Sequence, residues 1–160
     1  MFKIGDYITH PMHGAGVIGS IVTKKINGSQ RDYYVLKLPV GDMVVMVPVS
    51  GCEDIGVRSI ISRSEAEKLF SACSEIEISM TQNWNKRYRE NMDKIKSGNL
   101  LDVASVVKGL MCRDSERGLS TSERKMLHSA KQILISELVI ATDMDYNGVE
   151  KRLCAALKEG

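Results

Sequence analysis

The feature that most constrains this chain is a change of hydrophobic period at Ser62. From Gly5 to about Ile61 the apolar residues are mostly β-branched and come in short, partly alternating runs: "DYITH", "AGVIGSIVTKKI", "DYYVLKLP", "DMVVMVPV" and "GVRSII". A period of two puts successive side chains on opposite faces of a strand. Between the runs, "HPMHG", "NGSQ", "PVGD" and "SGCEDIG" supply the glycine, proline and Asn-Gly chemistry of tight turns. The pattern predicts about five antiparallel strands in a small, strongly bent sheet, of the kind that forms an SH3-like or Tudor-like half barrel.

After Ser62 the period becomes 3.6 and stays there. Ser62 with Glu65, and Ser120 with Glu123, have the spacing of capping boxes, and Asn83, Asn99 and Asn147 are further acceptors for the orphan amides of helix starts. Gly98 and Gly118 suit helix ends. These signals predict helices over 63–74, 83–97, 100–116, 121–142 and 147–159. Two carry apolar stripes at core spacing: Leu100, Val103, Val107, Leu110 and Met111, then Leu127, Ala130, Ile133, Leu134, Leu138 and Ala141. The chain is therefore read as α+β, with a β domain over 1–60, a compact five-helix domain over 63–160, and a hinge around Ser59 to Ser64.

A composition of 43% hydrophobic and 26% charged residues is that of a globular protein. The longest apolar stretch, Met43 to Val49, is too short to span a bilayer, and "MFKIGDYI" lacks the basic flank and apolar core of a signal peptide, so the expected location is the cytoplasm. Cys52, Cys73, Cys112 and Cys154 lie too far apart in sequence for a zinc ribbon or a redox motif and are read as reduced, small hydrophobes. His10 and His13 are three residues apart in a turn-forming "HPMHG" with no nearby acid, which is not a metal-site pattern. Gly14, Gly16 and Gly19 spell G-x-G-x-x-G, but a β-branched strand follows where a dinucleotide site needs a helix; they are read as strand-entry and bulge glycines. With no nucleophile elbow and no phosphate loop, the chain is expected to be no enzyme and to need no cofactor or metal.

Charge is distributed unevenly. Residues 51–80 hold three basic and six acidic side chains, whereas residues 81–131 hold eleven basic against six acidic. That local excess can face an anionic partner, or it can be an ordinary solvated helical surface. Inside it lies "TQNWNKRYRENM", with the only tryptophan, Trp84. Trp84, Tyr88, Met92 and Ile95 recur at helical spacing, so Trp84 can be the leading residue of a core stripe. Alternatively it projects from a helix start beside Lys86, Arg87 and Arg89, where a flat ring stacks on an exposed base while the cations neutralise phosphates.

The order of motifs resembles the CarD family of bacterial transcription regulators in its short form. It is carried by "FKIGDYITHPMHGAGVI", "YYVLKLP", "MVVMVPV" and "IGVRSIIS", then "NWNKRYRENMDKIKSG", "VVKGLMCRDSERGLSTSERKML" and "AKQILISEL", over about residues 2–142. The resemblance implies a Tudor-like domain that docks on the β subunit of RNA polymerase, shared with transcription-repair coupling factor, and a helical DNA-binding domain. It implies stabilisation of the promoter open complex by a tryptophan at the upstream edge of the bubble, the position matched by Trp84. Lys86, Arg87, Arg89, Arg113 and Arg124 match positions that face the DNA backbone. On the polymerase side the matches are Lys24 and Met46. Many relatives carry a basic residue where Met46 stands, so an apolar contact, or backbone pairing along Met43, Val44, Val45, Met46 and Val47, would replace an ionic one. The expected protein is a nucleoid-associated monomer acting through polymerase. The alternative is an adaptor that docks on polymerase or a repair factor without touching DNA.

Overall fold

A computed structural model describes residues 1–39 and 42–158. Five strands, β1 (Tyr7–His10), β2 (Gly14–Ile26), β3 (Ser29–Lys37), β4 (Val44–Pro48) and β5 (Arg58–Ser59), form one antiparallel sheet in the order β4-β3-β2-β1-β5. Five helices follow: α1 (Arg63–Cys73), α2 (Trp84–Lys96), α3 (Leu100–Arg117), α4 (Thr121–Thr142) and α5 (Tyr146–Lys158). The architecture is the expected Tudor-like sheet followed by a helical domain. Of the expected features, Val40 and Gly41 in the "PVGD" turn and Glu159 at the end of the last helix lie outside the described residues.

The β2–β3 hairpin turns on Asn27 and Gly28, both at positive φ (52° and 81°), the backbone that a tight Asn-Gly turn requires. The register of β2 against β3 shifts between Ile18 and Ser20, so Gly19 is the bulged residue. Ile8, Ile18, Tyr34, Leu36, Val47, Cys52 and Val57 are buried together beneath the sheet.

In the second domain α3 and α4 supply most of the core, from Leu100 to Leu110 and from Met126 to Leu138. Ser62 caps α1 in a reciprocal box with Glu65. Lys108, buried on α3, donates to the carbonyls of Cys73 and Ile76 and so satisfies the C-terminal end of α1. Arg152 of α5 pairs with Glu67 of α1, and its guanidinium lies 4.1 Å from the Phe70 ring centroid. One cap differs from expectation: Asp145, not Asn147, accepts the amide of Gly148 (2.7 Å) at the start of α5. Asp145 sits one residue ahead of the helix, where an N-cap must, whereas Asn147 already lies within its first turn.

The two domains are bonded to each other. Gly14, at φ +96°, lies against α4; a Cβ there would come 2.6 Å from Ser136 Oγ and 3.3 Å from Ile133 Cα. The next amide, Ala15 N, donates to Ser136 Oγ at 2.9 Å in a buried position. Glu137, with no exposed surface, accepts both guanidinium nitrogens of Arg58 (2.7 and 3.1 Å) and the amide of Ile61 (2.8 Å). The segment read as a hinge is thus held just before its start, at Arg58, and in its middle, at Ile61, by one carboxylate on α4. The G-x-G-x-x-G stretch belongs to this junction and to the bulge.

All four cysteines are free thiols; Cys52 and Cys73 are buried, and burial pushes the Cys73 thiol up to about 11. The His10 and His13 rings lie with centroids 4.5 Å apart and planes inclined by 41°, and His10 Nδ1 accepts the amide of Met12 (3.0 Å). No helix among the described residues is long and apolar enough to cross a membrane.

Candidate nucleic-acid interface

Asn83 caps α2, its side chain accepting Lys86 N at 3.0 Å, which makes Trp84 the first residue of the helix. The stripe that begins there runs from solvent into the core. Trp84 is 40% exposed, Tyr88 and Met92 are half-buried, and Ile95 is buried. Both readings of Trp84 therefore hold part of the answer: it has core spacing, yet it stands where the stripe leaves the core.

Two contacts fix the ring. Tyr88 stacks against one face, with centroids 5.3 Å apart and planes inclined by 20°. The indole Nε1 donates to Ser120 Oγ at 3.2 Å. Ser120 is the N-cap of α4 and accepts Glu123 N at 3.2 Å. The first turns of α2 and α4 are consequently linked through the indole, which brings the N-terminal, positive ends of both helix dipoles near it. Such a junction favours negative charge, as phosphate sites at helix starts do.

The basic residues other than Arg87 separate into three groups. Lys86 and Arg89 are exposed and stand on the solvent side of α2, roughly 140–160° round the helix from Trp84 at 100° per residue. Arg124 is exposed in the first turn of α4; its Nε donates to the Leu119 carbonyl (3.3 Å), and its pair with Asp114 is long (3.9 Å) and solvated. An exposed pair of that kind contributes about 0–1 kcal/mol, so a phosphate can displace it. Arg113 is half-buried, its Nε buried without a hydrogen-bond partner, and its charge acts on Glu123.

Arg87 is a correction to the sequence reading. It is 1% exposed and cannot reach a DNA backbone. Its Nε and Nη2 bind the two oxygens of Glu123 (2.9 and 3.2 Å), and Nη1 donates to the carbonyls of Thr81 and Gln82. The guanidinium holds the Glu123 carboxyl below the usual range, with Arg113 adding to the effect. Because Glu123 turns to Arg87, the Ser120 cap is not the reciprocal box that its spacing suggested; Arg87 instead ties α2 to α4 beneath the exposed tryptophan. Ser120, Tyr88 and Glu123 are the members of this site that sequence reasoning missed. Signals existed: Ser120 and Glu123 were visible as a cap, and Arg87 shares helical phase with Asn91 and Ile95, both buried.

On the sheet, Lys24 is exposed and pairs in register with Arg31. The cross-strand partners Met46–Val35–Ser20 and Pro48–Tyr33–Val22 form the two rows next to it, so Lys24 and Met46 share the outer face. Val44 (56% exposed) and Met43 (53%) continue the apolar surface toward the end of β4. Val45 and Val47 point the other way, into the sheet core, and offer a partner only their backbone. β4 is an edge strand, so its outer hydrogen-bonding groups face away from the sheet.

Fold and surface together define a two-domain protein: a Tudor-like sheet with a free edge, bonded to a helical domain whose one tryptophan is exposed where two helix starts meet. Residues 2–61 match the family model of the CarD-like/TRCF RID domain, and residues 68–154 match that of the CarD C-terminal domain. The chain belongs to the CarD family of transcription regulators. It is similar to the Bacillus subtilis (strain 168) protein named "Putative transcription factor YdeB", 37% identical over 140 residues that cover 88% of this chain and 92% of that protein.

Proposed function

We propose that the chain docks on the β subunit of RNA polymerase through the outer face and free edge of β4. From there it holds promoter DNA near the upstream edge of the bubble with the surface around Trp84. The observation that carries the reading is the exposed Trp84 at the junction of two helix starts, with Arg124 in the first turn of α4 and Lys86 and Arg89 exposed on the solvent side of α2. Phosphates meet cations and helix amides there, and a base meets an aromatic face. None of these groups reads a base edge, so binding is largely independent of sequence.

The ring's environment limits what it can do. Tyr88 covers one face, so at most one base can stack on the ring. Stacking one base contributes about 1–3 kcal/mol, while unstacking a step costs a few kcal/mol. Trp84 therefore captures a base that melting has already exposed. Contacts available only after melting lower the open state relative to the closed one, by no more than that difference. Arg87 is left out of the DNA contacts and assigned to holding α2 against α4.

The test is the affinity of the polymerase-bound protein for a labelled forked promoter fragment as salt is raised. The reading predicts a steep linear fall of log K with log salt, and a slope reduced by about one on replacing Arg124 or Lys86 by Ala. Binding to polymerase with no contribution to DNA affinity at any salt would favour the adaptor instead.

A further inference from the structure

The indole is held by a hydroxyl that belongs to a different helix. Ser120 Oγ accepts from Trp84 Nε1 (3.2 Å) and from Glu123 N (3.2 Å), and its own proton points to Glu123 Oε1 at 3.4 Å. Two accepted bonds and one donated bond fill the capacity of a hydroxyl. The Glu123 oxygen is in turn fixed by Arg87 Nη2 (3.2 Å) in a buried position. The chain of bonds thus runs from the interior ion pair through the α4 cap to the edge of an exposed ring. The support matters because Trp84 is 40% exposed, and an exposed side chain that nothing tethers changes rotamer on the picosecond to nanosecond scale.

We infer that Ser120 is a positioning residue, fixing the plane of the Trp84 ring, backed by Tyr88, so that its free face is preorganised to receive a base. The inference rests on the stacking role proposed above for Trp84. Its energetic content is the cost of ordering the ring, met in the free protein instead of at the moment of stacking. The hydroxyl has a second role as helix cap, and the two roles separate by substitution. Ser120→Ala removes both, whereas glycine is nearly as good an N-cap as serine, so Ser120→Gly removes the hydroxyl with little effect on the helix. Ser120→Thr restores the acceptor.

The sole tryptophan allows a direct measurement on the intact chain. Time-resolved fluorescence anisotropy of the wild type shows Trp84 tumbling with the whole protein; Ser120→Gly adds a fast component and Ser120→Thr removes it. In open-complex dissociation assays with polymerase, Ser120→Gly shortens the lifetime about two- to tenfold, the worth of one hydrogen bond, and Ser120→Thr restores it. The same substitution made together with Trp84→Phe, which keeps a ring but has no N–H donor, has no further effect. An unchanged anisotropy decay in Ser120→Gly would overturn the tether. Equal loss of lifetime with and without the Trp84→Phe change would make Ser120 a cap only. If Trp84→Phe and Trp84→Ala both leave the lifetime unchanged, the stacking role fails, while the anisotropy result still decides whether Ser120 holds the ring.

Discussion

Arg87 and Trp84 are three residues apart and have opposite fates, one 1% and the other 40% exposed. The difference is helical phase: Arg87 lies over Asn91 and Ile95, toward α4, where Glu123 waits for it. Removing one partner of a buried, bidentate pair strands a charge, so Arg87→Ala should cost about 3–5 kcal/mol in chemical denaturation. Arg87→Lys should recover only part of that, because an ammonium cannot match the fork. The pH dependence has a definite sign. Glu123 titrates below its ordinary range when folded, so the stability it contributes is complete above the unfolded glutamate range and is lost as pH falls through the folded value. Glu123→Gln should therefore be less stable than the wild type at neutral pH, and the gap between them should narrow on acidification. The sequence held the phase of Arg87 in plain view, but a basic residue in a basic segment read naturally as surface. Only its partner, 36 residues away, explains the burial.

Among the elements, caps and turns were legible because their chemistry is local: Ser62, Asn83, Asn99 and Ser120 all accept amides at helix starts, and Asn27-Gly28 makes the hairpin turn. The junction between sheet and bundle was not legible. Glu137 is a single acid inside the apolar run "ILISELVIA", a signal that something must neutralise it, yet nothing local identifies Arg58 as the partner. The pair is asymmetric: the Arg58 side chain is 36% exposed and that of Glu137 fully buried. Arg58→Ala leaves a carboxylate in the interior with Ile61 N alone, while Glu137→Ala leaves a guanidinium that can turn to water. Arg58→Ala should therefore be the more destabilising of the two in urea titration, by at least about 1 kcal/mol. Equal effects would mean that the carboxylate is not carrying the junction.

At the scale of the whole molecule, the change of period at Ser62 was enough to divide sheet from bundle, because each half buries one face at its own repeat. Function was legible on other grounds. Composition left a basic surface and a solvated helix indistinguishable, and spacing alone assigned Trp84 to a core; the ordered family motifs tipped both. What neither supplied was the joining of the domains, in which Ser136 and Glu137 of α4 bond Ala15, Arg58 and Ile61. Docking is expected to depend on the outer face of β4. Val44→Asp or Met46→Asp should weaken capture of the polymerase β lobe about tenfold or more while leaving the fold intact, since both side chains lie outside the sheet core. Substituting Val47 should instead unfold the sheet.

The central claim is that Trp84 acts by stacking on a base which only the open complex exposes. The most direct measurement is the lifetime of the open complex on a linear promoter with wild type or Trp84→Ala, at matched occupancy of polymerase. Losing one stacked base predicts a lifetime shorter by about 5- to 150-fold, with thermal unfolding and polymerase binding little changed. An unchanged lifetime, from a variant that still folds and still binds polymerase, would contradict the account.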